Sequence, residues 1–155
     1  MASRSRSSNS SRRRRLRRSG RSGFEHLPLE HAAARGNLDL FTRFMDAGAD
    51  GEAGWRGCHG RTLLGAAACG NKSDKMVRAL LGAGARRDVN GRFGNANESA
   101  LHVAAARGAE ASCTALMIAG ADRNLRDREG SSPLHLAAKA GHHGVAGILL
   151  KGAQV

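Results

Sequence analysis

Aromatic residues are scarce in this chain, which has no tyrosine, one tryptophan and four phenylalanines. A core built around large rings is therefore excluded, and packing must depend on leucine and alanine. Only three cysteines are present, without a C-x-x-C spacing, which is typical of a reduced, intracellular protein. No apolar run approaches the ~18 residues of a membrane-spanning helix, and no signal-peptide pattern appears. We expect an intracellular protein with no membrane partner.

Acidic residues are missing from residues 1–23, which contain nine arginines and eight serines. The remaining 132 residues hold 16 basic and 13 acidic side chains, so they contribute only +3 to the net charge of +12. A segment this charged and this poor in apolar residues cannot bury a core. We expect a disordered basic tail over 1–23, followed by a folded domain over 24–155.

The role of the tail has several open interpretations. Its cluster resembles a nuclear-localisation signal, and it also suits sequence-independent binding to nucleic-acid phosphates. An organelle transit peptide is a minority alternative, since no apolar face accompanies the arginines. A solvated tail without a dedicated role is the fourth. We expect a cytoplasmic or nuclear location, and the candidate anion-binding or targeting residues are Arg12, Arg13, Arg14, Arg15, Arg17 and Arg18.

An internal repeat dominates the rest of the chain. Four heptapeptides align without gaps at 27–33, 62–68, 99–105 and 132–138, with starts 35, 37 and 33 residues apart. A fixed period of this length predicts a stack of supersecondary units, and such stacks usually act as binding surfaces.

Local signals predict where the helices of each repeat begin and end. Thr62, Ser99 and Ser132 occupy N-cap positions, where a hydroxyl accepts a backbone N–H. Both prolines, Pro28 and Pro133, fall at the first helical position, where the missing N–H costs nothing. The first helices should end at glycines able to adopt the left-handed conformation, namely Gly36, Gly108 and Gly141.

Ser132-Pro133-Leu134-His135-Leu136-Ala137-Ala138 and Gly120-Ala121-Asp122-Arg123-Asn124 carry a specific resemblance. From about Phe24 onward, the chain resembles the ankyrin-repeat family. The resemblance implies an all-α solenoid of about four helix–turn–helix repeats, joined by β-turn or hairpin fingers. We place these repeats at about 24–57, 58–94, 95–127 and 128–155.

The chain departs from the family pattern in places that bear on function. Gly65 replaces the motif histidine in the second repeat. The fingers at 51–61 and 86–98 are longer than usual, and Asn97 stands where a turn glycine is expected. Because asparagine tolerates positive φ, that turn should survive.

No catalytic residue, cofactor or metal is predicted. Cys58-His59 and His142-His143 lack the spacing of a four-ligand zinc site. We see no nucleophile–base pair, phosphate loop or paired carboxylates. For His102 and His135, the resemblance implies a structural role in hydrogen bonding between adjacent turns.

The resemblance also implies that a partner binds at the finger tips and the concave face of the first helices. Both regions are rich in arginine, so we expect an acidic protein partner. Trp55 and Phe93 are either anchors for it or rings that close their own long fingers, and for Phe93 we favour ring closure. The candidate residues on the concave face are His31, Arg35, Val103, Arg107, Leu136 and Lys139. Those on the fingers are Trp55, Arg56, Arg61, Arg92, Phe93, Arg126 and Arg128.

These observations favour a non-enzymatic adaptor or scaffold. One alternative is a nucleic-acid-associated protein whose tail binds RNA or DNA while the repeats recruit a partner. Another is a fragment of a larger ankyrin array. In the last predicted helix, Val145, Ile148, Leu149 and Leu150 would have no repeat to cover them, so we also expect weak self-association through this C-terminal repeat.

Overall fold

The computed structural model describes residues 27–46, 62–70 and 73–152. Over these ranges the chain is mostly helical, with a single short hairpin and a 3₁₀ helix at Ala85–Asp88. Strand β1 is Arg92–Phe93 and β2 is Glu98–Ser99. The α-helices are α1 Leu27–Arg35, α2 Leu38–Asp46, α3 Leu63–Ala68, α4 Ser73–Gly82, α5 Ala100–Arg107, α6 Glu110–Ile118, α7 Pro133–Ala140 and α8 His143–Lys151.

The predicted N-caps are confirmed at α3, α5 and α7. The Thr62 hydroxyl accepts the amide of Gly65 at 3.1 Å. Ser99 and Ser132 form capping boxes in which a histidine, three residues on, accepts from the cap residue's own amide. These reciprocal bonds satisfy two backbone donors that a helix start leaves without partners.

The first helices end where the glycines predict. Gly108 and Gly141 have φ of 73° and 78°, and their amides bond back to the last turn of α5 and α7. Asn97 also adopts positive φ, at 54°, and so preserves the turn of the finger at 86–98, the third finger, which leads into the third repeat. Local chemistry alone therefore fixes these three chain reversals.

The helices form two layers. Helices α1, α3, α5 and α7 pack against one another in chain order, and α4, α6 and α8 form the second layer with the same order. Each helix of a pair also packs on its partner, as α5 does on α6. The core between the layers is mainly leucine and alanine, and its fully buried alanines let neighbouring helices approach closely. Its members include Ala33, Leu64, Ala67, Ala68, Leu80, Leu101, Ala104, Ala105, Leu116 and Ala137.

The third finger is a hairpin that leads directly into α5. Its strands are antiparallel, with Arg92 opposite Ser99 and Phe93 opposite Glu98. The amide of Arg128 donates to the carbonyl oxygen of Ala96 at 2.8 Å. This bond holds the fourth finger, the loop at 121–132 that precedes α7, against the hairpin tip. Successive fingers therefore lie side by side.

Candidate protein-binding surface

The concave positions predicted from the sequence differ in exposure. His31 in α1 is exposed and Leu136 in α7 is half-buried. Their counterpart in α5, Val103, is buried at 9% exposure. Helix α5 packs between α3 and α7, whereas α1 and α7 are the first and last of the described first helices. Val103 is therefore a core residue, with little surface left for the partner contact predicted for it.

The basic residues at the C-terminal ends of the first helices are exposed. They are Arg35, Arg107 and Lys139. The Arg107 guanidinium also donates to the carbonyl oxygen of Cys69, at the C-cap of α3. It thus satisfies a carbonyl that a helix end leaves open and ties two repeats together. A single such bond uses one of the five N–H donors of an arginine, so the others remain for a partner.

The two described fingers present basic side chains beside one another. Arg92 on β1 and Arg128 on the fourth finger are exposed. Arg126 is also exposed and donates to the carbonyl oxygen of Gly130 at 3.0 Å, which closes its own turn. The hydrogen bond from the Arg128 amide to Ala96 holds the two fingers together, so it sets the distances between the Cα atoms of Arg92, Arg126 and Arg128.

The carboxylate of Asp127 organises the fourth finger from within. Its Oδ1 accepts the amides of Glu129 and Ser131 at 2.9 and 2.8 Å. Such a bond to an amide two residues ahead is the defining contact of an Asx turn. Asp127 therefore orders the loop that carries the arginines, a role that its position among basic residues did not reveal.

Phe93 does not face a partner. Its ring is 6% exposed and lies directly over Gly65, where a Cβ atom would overlap it. The absent side chain at Gly65, where the family pattern has histidine, therefore creates the space that the ring fills. Phe93 is predicted either to anchor a partner or to close its own finger, and the burial of its ring against α3 leaves little of it exposed to a partner.

His102 connects two repeats. Its Nδ1 accepts the amide of Ser99 at 3.2 Å, so the ring proton lies on Nε2, which donates to the carbonyl oxygen of Ser131 at 3.1 Å. Burial lowers the pKa of His102 from its ordinary value of 6.5, against smaller raising effects of the Ser131 bond, Asp127 and Glu98. This histidine is therefore a neutral structural link. Both ring nitrogens are engaged by Ser99 and by the Ser131 carbonyl, which supports a structural role and not a catalytic one.

His135 has the same capping contacts in the last repeat, with Ser132 in place of Ser99. Its ring is exposed. Over the described ranges, no group accepts a hydrogen bond from its Nε2. The inter-turn bond implied by the family resemblance is thus formed by His102 and not by His135.

Two further links between repeats were missed from the sequence. His142 Nε2 donates to the carbonyl oxygen of Ala106 at 3.2 Å, and its ring covers Gly108. Arg123 donates to the carbonyl oxygen of Leu149 at 3.0 Å, near the C-terminal end of α8. Arg107, Arg123 and His142 share one role, since each bonds a backbone carbonyl near the end of a helix in another repeat. They do not recur at a fixed spacing along the chain, so no sequence pattern indicated this role.

Other features of the part of the chain that the structure covers bear on its chemistry. Within it, no three His, Cys, Asp or Glu side chains gather as a metal site. Among its helices, none has the length and apolar character to cross a bilayer. The predicted contacts of Trp55, Arg56 and Arg61, and the arginine cluster at 12–18, lie outside the described residues.

Comparison with known proteins agrees with this architecture. A family model described as ankyrin repeats (3 copies) matches residues 68–155. The E3 ubiquitin-protein ligase KEG of Arabidopsis thaliana is 40% identical over 103 residues, which are 66% of this chain. The nuclear factor NF-kappa-B p105 subunit of Rattus norvegicus is 46% identical over 54 residues, or 35% of this chain. The matched part is 6% of the length of each relative.

Proposed function

Because the chain belongs to the ankyrin-repeat family, whose repeats mediate protein–protein interaction, we propose that it is a non-enzymatic adaptor for an acidic protein segment. The segment lies across the third and fourth fingers and reaches the basic ends of the first helices. The whole-protein activities of the two relatives are not assigned to this chain, since the similarity covers a small part of each.

The observation that carries this proposal is the row of exposed arginines on two joined fingers. The bond from the Arg128 amide to Ala96 sets the fingers side by side, with Arg92 on one and Arg128 on the other. Asp122 and Glu129 are exposed on the same fourth finger, so the attraction comes from individual guanidinium groups and not from charge of one sign. Such groups can pair with carboxylates of an oppositely charged partner and steer its approach. An acidic peptide suits this surface.

Anchored guanidinium groups add orientation to this attraction. Arg126 and Arg107 each spend one donor on a backbone carbonyl, which limits the freedom of the side chain. A guanidinium held in this way loses less conformational entropy when it binds a carboxylate with its other donors. Lys139 and Arg35 extend the basic surface along the first helices.

A charge-matched pair of variants tests the location of the site. The probe is a fluorescein-labelled poly-glutamate peptide, titrated into the full chain and followed by fluorescence anisotropy. Arg92→Glu/Arg128→Glu should bind it about tenfold more weakly than Arg43→Glu/Arg78→Glu, whose changes lie on exposed positions of second helices. Equal losses in the two double variants would show that net charge alone holds the probe, and the finger site would be wrong.

A nucleic-acid-associated role is the second candidate, favoured by nine arginines and no acid in residues 1–23. Replacing all six of Arg12, Arg13, Arg14, Arg15, Arg17 and Arg18 by glutamine in the full chain tests it. The logarithm of duplex-DNA affinity should fall steeply with the logarithm of salt concentration, and the substitution should reduce that slope by about 5. Unchanged binding would exclude the tail as the contact. The same substitution in a fluorescent fusion tests whether the cluster directs the protein to the nucleus.

A further inference from the structure

The fourth repeat exposes residues that are buried in the third. Leu150 lies nine residues after Gly141, as Met117 lies nine after Gly108, yet Leu150 is 66% exposed and Met117 packs against the core. In the second repeat the corresponding residue is Leu81, at 8%. In the second and third repeats, a further pair of helices packs on the pair that carries this position.

The same contrast holds on the first helix of each pair. Ala33, Ala68 and Ala105 are fully buried, whereas the equivalent Ala138 is exposed. His102 is 1% exposed because the fourth finger covers it, and His135 is exposed. The outer side of α7 and α8 therefore has the composition of an inter-repeat contact.

This outer side also has the shape and polarity to receive another repeat. A depression of about 220 Å³ opens there, and its lining consists of Leu134, Leu149 and Leu150 together with the polar residues Arg123, Asn124 and Ser132. Beside it, the Nε2 proton of His135 occupies the place from which His102 bonds a backbone carbonyl of the next finger. A new unit that brings an apolar side chain and a finger carbonyl would satisfy both.

The first repeat exposes the complementary position. Leu40 lies four residues after Gly36, and it is 38% exposed. Ser112 and Val145 lie four residues after Gly108 and Gly141, and both are fully buried where α6 meets α4 and α8 meets α6. Leu40 thus lies on the side that, in later repeats, is covered by the repeat before.

We propose that a second copy of this chain continues the array, with its first repeat docked on the outer side of α7 and α8. Leu40 of the second copy then meets the surface around Leu134 and Leu150. The contact repeats the internal one between consecutive repeats and is head-to-tail. It goes beyond the adaptor role, because it uses neither the finger arginines nor the concave ends of the first helices.

Charge favours this polarity over a symmetric one. Inside the chain, the Glu110 carboxylate fills the space beside Gly144 of the next repeat. One repeat further, His143 stands in the place of Glu110, and Asp39 of the second copy stands in the place of Gly144. An imidazole N–H then faces a carboxylate that can accept a hydrogen bond from it. A tail-to-tail dimer would instead bring Arg123 and Lys151 of both copies together, which costs free energy.

A contact one repeat wide is small, so the association is weak and depends on protein concentration. A head-to-tail dimer leaves one free surface at each end, to which further copies can add. The net charge of +12 opposes the approach of two copies. Added salt screens that repulsion, so self-association should strengthen as salt rises.

Sedimentation velocity of the full chain at raised salt tests the proposal. Leu40→Glu and Leu150→Glu should each be monomeric, since each destroys one of the two complementary surfaces. An equimolar mixture should form a dimer that does not grow further, because one intact surface of each kind remains. Ile118→Glu is the matched control: Ile118 is 56% exposed in α6, ten residues after Gly108, where other repeats carry the exposed Asp46 and Lys151. It should associate like the unmodified chain.

Several outcomes would overturn the proposal. The first is an unmodified chain that stays monomeric up to its solubility limit. The second is a Leu40→Glu variant that still dimerises, since this would indicate a tail-to-tail contact. A mixture that stays monomeric, or a loss of association in Ile118→Glu, would also contradict it. Thermal melting followed by circular dichroism checks that the variants fold, and Leu40→Gln and Leu150→Gln replace either glutamate that lowers the melting temperature. Poly-glutamate binding should be unchanged in all of them, which keeps this test separate from that of the adaptor role.

Discussion

His102 donates from Nε2 to the carbonyl oxygen of Ser131, 29 residues later, and so closes a hydrogen bond between the third and fourth repeats at 3.1 Å. The Nδ1 atom of the same ring accepts a hydrogen bond from the Ser99 amide, which is half of the capping box at the start of α5. One side chain therefore couples the start of α5 to the finger that follows. Local and long-range structure are linked at this residue.

Replacing His102 by alanine should lower the free energy of unfolding by about 1–3 kcal/mol, because the buried amide of Ser99 and the Ser131 carbonyl both lose a partner. His135→Ala removes the same capping contacts without an inter-repeat bond, so its loss should be smaller, about 0.5–1 kcal/mol. Urea unfolding followed by far-ultraviolet circular dichroism measures both. Equal losses would mean that the Ser131 bond adds no net stability.

Acidification should destabilise the fold through His102. Burial lowers the pKa of this ring in the folded chain below its ordinary value of 6.5, so the unfolded chain binds the proton more readily. The stability contributed by the neutral ring is complete above pH 6.5 and is lost as pH falls through the lower folded-state pKa. Urea midpoints measured from pH 7.5 downward should decrease below about pH 6.5. The His102→Gln variant should show a shallower decrease, and parallel curves would contradict the assignment to this ring.

Cys113 should resist modification in the folded protein. Burial, followed by Asp74 and Glu110, raises the pKa of its thiol to about 12, and the residue is fully buried. Cys69 is partly exposed. In a Cys58→Ser background, DTNB should therefore react with one thiol of the native protein and with two after unfolding. Two thiols that react at the same rate in the native protein would show that α6 opens readily.

Alanine should have opposite effects on stability at two helical glycines, because Gly65 lies under the ring of Phe93 and Gly147 has open space around it. A Cβ at Gly65 would overlap the ring of Phe93, so Gly65→Ala should destabilise by about 1–3 kcal/mol despite better helix propensity. Gly147 in α8 has open space around the same atom, so Gly147→Ala should stabilise by about 0.5–1 kcal/mol. Urea midpoints distinguish the two signs. A stabilising Gly65→Ala would mean that the ring moves away at little cost.

The periodic and local features of the chain could be predicted from the residues alone. Thr62, Ser99 and Ser132 cap helices because a hydroxyl at that place satisfies nearby amides, whatever packs around it. Gly108, Gly141 and Asn97 reverse the chain because they tolerate positive φ. The assignment to ankyrin repeats came from the resemblance carried by the motifs at 132–138 and 120–124, and the leucine–alanine packing came from the scarcity of aromatic residues. The limits given to each repeat and the role of residues 1–23 stay predictions.

The exposure of particular side chains depended on contacts between residues far apart in sequence. Val103 and Leu136 occupy the same place in their repeats, yet the former is buried because α5 has a helix on each side. Phe93 turned inward because residue 65, 28 positions earlier, has no side chain to fill the space. Helix periodicity and capping act over a few neighbouring residues and can be read along the chain. Burial is a property of the whole stack, so the surface available to a partner is set by which repeats lie on either side.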